Sequence, residues 1–389
     1  MRFFVTGEVE FLDPHHKASD IAYTRLVQSL PSTAPFIGPE ALERTSGKPF
    51  ALRLGANESA FGPSPLAKAA MREAVERIAY YADPEAYETR SDIAAHMNVS
   101  ADHVVIDIGI DGLLGLATRL FMESGDHAVA SLGSYPTFAY HVTGFGGVFE
   151  RPPYKDDRND LDALAEAARR THARLVYLAN PDNPTGSWRS GADIVALLDA
   201  LPPRCTLLLD EAYMEFAPAD ALAQLDPDDP RVVRFRTFSK AYGMAGARIG
   251  YALAAPATIR ALDKIRLHFG VNAIAQAGAR AALADQAYLA EVVAEVARGR
   301  DEYAALARDL GLTPLPSATN FVAIDVGGPE RARATLSALT DAGVFIRMPG
   351  VAPLDRCIRV TVGTADERRA FARIFREAWP RVVAQTSGA

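Results

Sequence analysis

The sequence predicts an α/β fold: a mostly parallel sheet with helices on both faces, followed by a smaller α+β domain. Over the first two thirds of the chain, short apolar runs alternate with segments of helical period, which is typical of strands joined by right-handed helical crossovers. A long helical tract from about 257 to 310 then leaves this region. Strand-like and helix-like segments alternate again after it, as expected for a second domain.

The main sheet is assembled from six predicted strands, at residues 104–108, 128–132, 174–179, 206–209, 232–235 and 249–253. Ser64 is a suitable N-cap and Pro65 a suitable first residue for the helix that precedes them. The helical tract has a break around 268–272. In the tail, strands at 320–326, 344–347 and 357–362 accompany helices at 329–342 and at the end of the chain.

Composition narrows the class of function. The 389 residues, 49% of them apolar, are enough for a large core, and a net charge of −7 without a sustained basic run argues against nucleic-acid binding. No apolar run reaches membrane-spanning length, and we expect neither a signal peptide nor an anchor in residues 1–10. Cys205 and Cys357 lie in apolar segments, so we interpret them as core thiols in a reducing cytoplasm. His15 and His16 lack further ligands at suitable spacing, and no metal site is predicted.

The segment 236–250 holds Lys240 and Arg248 among small residues that cannot form a core. It follows an apolar strand, which would bring Lys240 to the edge of the sheet where α/β proteins bind ligands. A buried lysine loses its proton readily and attacks carbonyl groups, whereas arginine holds phosphate. Taken alone, this stretch fits either an imine-forming lysine beside an anion site or a solvated basic turn.

Two other strand ends carry polar residues of interest. Prolines in the loop 180–186 would hold the amide of Asn183 in a fixed direction, and Asp210 ends a strand of leucines. A carboxylate at such an apolar rim requires a cationic partner, which a protonated ring nitrogen would supply.

A strand, a glycine turn and a helix follow one another at 104–117, an arrangement that offers backbone N–H groups and a positive dipole end to a phosphate. The glycine spacing matches neither the dinucleotide fingerprint nor the Walker loop, and an ordinary tight turn remains an alternative. The exposed turn with Tyr80 and Tyr81 is interpreted either as a cap on the core or as a contact to a neighbouring active site.

Together these strand ends supply what pyridoxal 5'-phosphate requires. A lysine forms the imine with its aldehyde, an aspartate keeps its ring nitrogen protonated, and asparagine and tyrosine donate to its phenolate oxygen. An arginine and backbone amides hold the phosphate, and an aromatic residue packs on the ring face.

On these motifs, the sequence resembles the fold-type I, aspartate-aminotransferase-like enzymes, and among them the histidinol-phosphate aminotransferases. The resemblance covers about 35–363 and is carried by the motifs at 55–58, 62–65, 183–186, 210–213, 239–248 and 359–363. It implies a seven-stranded sheet, a homodimer with shared active sites, an amino donor and a 2-oxo acid such as 2-oxoglutarate as substrates. It further implies an arm at 1–36, a small-domain part and linker at 37–62, a large cofactor-binding domain at 63–262 and a C-terminal small domain at 263–389.

The resemblance also implies residue roles. Lys240 is similar to the Schiff-base lysine, Asp210 to the residue at the ring nitrogen, and Asn183 and Tyr213 to the pair at the phenolate. The phosphate position corresponds to Asp111, Gly112, Ser239 and Arg248, with Tyr81 reaching the cofactor of the neighbouring subunit and Phe138 stacked on the ring. The substrate side corresponds to Asn57, Arg347, Arg359 and Phe36.

Phe138 and Phe36 stand where the nearest relatives have tyrosine, so each keeps an aromatic face and loses a hydroxyl group. Alternatives that keep the cofactor are a decarboxylase resembling the threonine-phosphate decarboxylases and an oxidase of the same fold. A pyridoxal-binding regulator is disfavoured, because residues 1–36 are too short and too irregular for a DNA-binding domain.

Overall fold

The computed structural model describes residues 22–31 and 37–386. The described residues form twelve strands: β1 Leu52–Arg53, β2 Val104–Asp107, β3 His127–Val129, β4 Val148–Glu150, β5 Leu175–Ala179, β6 Thr206–Asp210, β7 Val232–Thr237, β8 Gly250–Leu253, β9 Thr313–Pro314, β10 Phe321–Asp325, β11 Val344–Phe345 and β12 Cys357–Thr361. They also form thirteen α-helices: α1 Arg25–Ser29, α2 Pro39–Ser46, α3 Pro65–Val75, α4 Tyr87–Met97, α5 Ile110–Phe121, α6 Pro136–Gly144, α7 Leu161–Thr171, α8 Gly191–Ala200, α9 Pro256–Asp263, α10 Ala273–Ala284, α11 Gln286–Asp309, α12 Pro329–Asp341 and α13 Ala365–Thr386.

Seven strands form the central sheet in the order β2-β8-β7-β6-β5-β3-β4. The pairs β3/β4, β3/β5, β5/β6 and β6/β7 are parallel, and β8 is antiparallel to both of its neighbours. Every residue of β5 and β6 is buried, as expected for inner strands of a parallel sheet covered on both faces. The α/β fold with a mostly parallel seven-stranded sheet is therefore confirmed.

Local sequence explains why the helix after the first loop begins where it does. The Ser64 side chain accepts a hydrogen bond from the N–H of Ala67, and Pro65 occupies the first turn of α3. Proline has no N–H to leave unpaired there, and the serine satisfies one of the free donors. The predicted start of this helix is thus confirmed.

The tail forms a second sheet, in which β10 pairs antiparallel with both β9 and β12. The early strand β1 pairs in parallel with β11, joining Leu52 to Val344. This pairing is what a small-domain contribution from residues 37–62 would produce, and the domain boundaries themselves stay predictions.

Several elements differ from those expected. The exposed strand β4 at the end of the sheet, helix α4 and the short strand β9 were not predicted. The strand expected at 344–347 ends at Phe345, and Arg347 instead forms an isolated antiparallel bridge with Arg359. The long helical tract breaks between α9 and α10 as expected, and it divides again at Asp285, between α10 and α11.

Candidate active site

The polar residues that follow the strands lie at one edge of the central sheet. Because β2 and β7 are both antiparallel to β8, six of the seven strands run in the same direction and end at the same edge. Asp210 ends β6, Lys240 follows β7 by three residues, and Arg248 precedes the reversed strand β8. Open α/β sheets bind ligands at this edge.

Asp210 is a buried carboxylate with two neutral donors. Its Oδ2 accepts from the hydroxyl of Tyr177 at 2.7 Å and its Oδ1 from the N–H of Ala212 at 3.0 Å. No lysine, arginine or histidine of the described residues lies within salt-bridge distance of it. Burial raises its pKa to about 6, against the hydrogen bonds from Tyr177 and Ala212 that lower it. A cation brought to this carboxylate would be strongly bound.

Lys240 has no carboxylate partner within salt-bridge distance among the described residues. Its Nζ donates to the carbonyl oxygen of Asn57 at 3.2 Å and lies 5.7 Å from the centre of the Tyr213 ring. Burial, and then the positive charge of Arg359, lower its pKa to about 8. About one tenth of this amine is therefore neutral, and so nucleophilic, at pH 7, far more than of an ordinary lysine.

Asn57 joins the lysine to the tyrosine. Its backbone is left-handed, with φ of 55°, and its Nδ2 donates to the hydroxyl of Tyr213 at 2.9 Å. Thr361 accepts from the Asn57 N–H at 3.0 Å and donates to its Oδ1 at 3.2 Å. Burial raises the pKa of Tyr213 to about 12, so its phenol keeps a proton to donate.

The two arginines predicted to bind substrate lie in adjacent backbone segments. Arg359 donates to Oδ1 of Asn183 at 2.5 Å and to the carbonyl of Gly55 at 3.1 Å. Its buried Nε has no hydrogen-bond partner in the part of the chain that the structure describes. Burial lowers the pKa of Arg359 to about 10. Arg347 donates to the carbonyl of Ile37 at 2.8 Å, and burial lowers its pKa as well. Neither guanidinium is paired with a carboxylate of the described residues, an arrangement suited to an anion.

The predicted phosphate position lies where β2 leads into α5. Arg248 donates to the carbonyl of Ile108 at 3.3 Å and lies 3.5 Å from both Ser239 Oγ and Asp111 Oδ2. Gly109 has φ of 85°, and a Cβ atom there would lie 2.7 Å from Nη2 of Arg248. Glycine is therefore required at this turn, where the guanidinium approaches the N-terminus of α5.

Gly112 stands in the first turn of the same helix. A Cβ atom at this position would lie 2.6 Å from Cγ1 of Ile108 and 2.8 Å from Oδ2 of Asp107. Glycine is required at this position because there is no room for a side chain, and not because of its backbone angles.

Two aromatic residues, Tyr135 and Phe138, lie at the start of α6. Phe138 has no exposed surface; it stacks on Tyr177 with 5.1 Å between ring centres and contacts the edge of Phe149. Phe138 therefore packs on Tyr177, the residue that donates to Asp210. Tyr135 is only partly buried, and its hydroxyl donates to Oδ1 of Asp111 at 2.9 Å.

Two predicted residues do not join this cluster in the single chain. Tyr81 is 85% exposed and contacts only the ring of Phe269 among the aromatic residues described, at 4.9 Å between ring centres. Phe36 lies outside the described residues.

Sequence reasoning missed four contributors: Tyr135, Tyr177, Asn320 and Thr361. Thr361 belongs to the motif at 359–363, but no role was predicted for it. Tyr135 directly precedes the proline that begins α6, and a proline at a helix start can be recognised from the sequence. Tyr177 and Asn320 carry no local signal, because their partners are distant in sequence.

Residues 51–375 match the model of the family described as aminotransferase class I and II. A histidinol-phosphate aminotransferase of Anaeromyxobacter sp. is 39% identical over 357 residues, which is 90% of this chain and 97% of the relative. Histidinol-phosphate aminotransferase 2 of Carboxydothermus hydrogenoformans is 36% identical over 89% of this chain and 96% of its own.

A solved structure is also similar throughout. The histidinol-phosphate aminotransferase of Sinorhizobium meliloti, in complex with pyridoxal-5'-phosphate, superposes with a TM-score of 0.89 and 51% sequence identity. The match covers 95% of this chain and 99% of that one. In residues 22–31 and 37–386, no helix is long and apolar enough to cross a membrane.

Proposed function

The chain belongs to the aminotransferase class I and II family, and we propose that it uses pyridoxal 5'-phosphate to move an amino group between an anionic amino donor and a 2-oxo acid. It is an aminotransferase, as are its relatives over nine tenths of its length. The cofactor, the residue roles and the substrates are the content of the proposal.

One observation carries the assignment of the cofactor. Among the described residues, the amine of Lys240 lacks a carboxylate and the carboxylate of Asp210 lacks a cation, and both lie at the edge where the paired strands β6 and β7 end. An isolated buried charge costs free energy, so a ligand that pairs with both groups would be bound favourably. A molecule with an aldehyde and a basic ring nitrogen has the required chemistry.

The anion position supports the same ligand. Arg248, Ser239 and the glycine turn at Gly109 present positive charge and donors at the N-terminus of α5, as a phosphate requires. Asp111 is held by Tyr135 and Arg248, which fixes its carboxylate beside this position. We assign the ring face to Tyr135 rather than Phe138, because Phe138 has no exposed surface to offer.

Bound pyridoxal phosphate supplies an aldehyde carbon for amino groups and an electron sink for the bond broken at the donor carbon. Lys240 binds it and then moves the proton of that carbon, for which its pKa of about 8 suits a base near neutral pH. Asp210, held by Tyr177 and Ala212, keeps a proton on the ring nitrogen. Tyr213 and Asn183 donate to the ring oxygen.

Arg359 and Arg347 select an anionic group on the donor and on the 2-oxo acid. The unpartnered Nε of Arg359 supports this role, because a carboxylate or phosphate would accept from it. Histidinol phosphate is the first donor to test, since it appears in the names of the relatives, and 2-oxoglutarate is the first acceptor.

A two-fold homodimer is a further part of the proposal. Tyr80, Tyr81, Leu267 and Phe269 are 74%, 85%, 70% and 54% exposed, which is unusual for large apolar side chains and typical of a surface that a partner covers. We also propose a cytoplasmic location, which the free, buried Cys205 and Cys357 suit.

The proposal is tested by loading the protein with pyridoxal phosphate and adding single amines without an acceptor. We expect histidinol phosphate or another anionic amine to convert the absorbance of the lysine-bound cofactor to that of its amino form. Lys240→Ala is the control and removes both signals. Release of carbon dioxide or consumption of oxygen with the same donors would instead indicate a decarboxylase or an oxidase.

A further inference from the structure

The carbonyl oxygen of Asn57 receives two donors from different parts of the fold. Nζ of Lys240 donates to it at 3.2 Å, and Nδ2 of Asn320 donates to it at 3.0 Å. The same Nδ2 lies 3.4 Å from the carbonyl of Glu58. Because the amide and the amine share one acceptor, Asn320 is linked to Lys240 through a single atom.

The orientation of the Asn320 amide is fixed by this contact. The residue is 2% exposed, and its buried Oδ1 has no hydrogen-bond partner among residues 22–31 and 37–386. The reverse orientation would place Oδ1 against two carbonyl oxygens, which repel it. The amide therefore leaves one acceptor unsatisfied in order to keep its donor on Asn57, an arrangement that costs stability.

Asn57 needs such support because it adopts the left-handed conformation that non-glycine residues rarely occupy. Thr361 holds its N–H and its Oδ1, and Tyr213 accepts from its Nδ2. The remaining polar group of Asn57 is its carbonyl oxygen, which Asn320 holds. Asn320 is the residue directly before β10. The second sheet thereby determines where the acceptor of Lys240 lies.

We propose that Asn320 is a positioning residue for Lys240 and acts by holding the Asn57 carbonyl oxygen. One N–H of the amine is then directed to this oxygen, so that its lone pair faces the substrate when the proton is transferred. This inference rests on the proposed function of Lys240 as the base that moves the donor proton. It concerns proton transfer and not the binding of substrate.

The first test compares Asn320→Leu with the wild type in a half-reaction. Both proteins are loaded with pyridoxal phosphate, and the conversion by L-glutamate alone is followed in a stopped-flow spectrometer. The rate constant should fall by about 10- to 100-fold, as expected for a misplaced base, with the apparent Kd of glutamate changed by less than about threefold. Thr335→Ala, a buried polar truncation on α12, is the control for stability and should keep the rate. Should N320L not fold, Asn320→Ser replaces it, because its short hydroxyl cannot reach either carbonyl.

The second test needs no activity. Acylation of Lys240 in cofactor-free protein is measured by mass spectrometry as a function of pH, with exposed Lys48 as the internal reference. In Asn320→Leu the midpoint for Lys240 should fall, because the ammonium loses a fixed acceptor, by about half a pH unit or more. T335A should keep the wild-type midpoint.

An unchanged or raised midpoint in N320L, together with a rate within about threefold of the wild type, would mean that Asn320 only supports the fold. Lack of conversion in the wild type would count against the proposed function instead, and the acylation test would still decide the role of Asn320.

Discussion

Asp210→Asn separates the charge of the buried carboxylate from its shape. The asparagine keeps an oxygen for the N–H of Ala212, and its new Nδ2 replaces the oxygen that Tyr177 contacts. The hydroxyl of Tyr177 then turns from donor to acceptor, so both hydrogen bonds can be made. What the variant loses is a negative charge at the end of β6.

The stability effect follows from the pKa of Asp210, which is raised from 3.8 to about 6 in the folded protein. Between these values the folded state binds more protons than the unfolded state, so stability falls as pH rises and the loss is complete above pH 6. A shift of this size corresponds to about 3 kcal/mol at pH 7.5 and about 1 kcal/mol at pH 4.5. Cofactor-free D210N should therefore be more stable than the cofactor-free wild type, by up to these amounts.

Activity should change in the opposite direction. Loss of the charge that holds the proton on the ring nitrogen is expected to lower kcat by about 10²- to 10³-fold. Denaturant unfolding at both pH values and steady-state kinetics measure the two effects, with exposed Asp220→Asn as the control that alters neither. Reduced stability of D210N at pH 7.5, or a kcat within tenfold of the wild type, would refute the reasoning.

Three further outcomes are expected. Arg359→Gln should lower kcat/KM for 2-oxoglutarate by about 100-fold, roughly 3 kcal/mol for a lost charge-assisted contact, and a change confined to kcat would contradict a role in binding the acceptor. In the cofactor-free wild type, acylation of Lys240 should rise with pH through about 8, because burial and Arg359 lower its pKa; a midpoint near 10.5 would show an ordinary solvated amine. Tyr81→Phe should raise the Kd of pyridoxal phosphate by about tenfold without changing the free energy of unfolding, since the tyrosine is exposed in the single chain. Equal cofactor affinity in Y81F would remove Tyr81 from the site.

Much of the fold could be predicted because its elements have local causes. The leucines before Asp210 form a buried strand, Ser64 and Pro65 begin a helix, and the break at 268–272 separates α9 from α10. Strand β4 escaped prediction because it is short and partly exposed at the end of the sheet, so its pattern is weak.

The chemistry of the site was partly visible in the same way, since Lys240, Asp210 and Arg248 stand at strand ends. What the sequence could not provide are contacts between distant segments: Thr361 is 304 residues from Asn57, and Asn320 is 263. Phe138 was assigned to the ring face by the family resemblance, and no local pattern indicated that α6 would bury it against Tyr177. Such packing depends on the assembled sheet rather than on any local pattern.

The most direct measurement is to locate the attachment of the cofactor. The protein is mixed with pyridoxal phosphate, reduced with borohydride and digested, and the labelled peptide is identified by mass spectrometry. We predict one stoichiometric label, on Lys240. A stoichiometric label on Lys17, Lys48, Lys68, Lys155 or Lys264 instead, or none at all, would contradict the account.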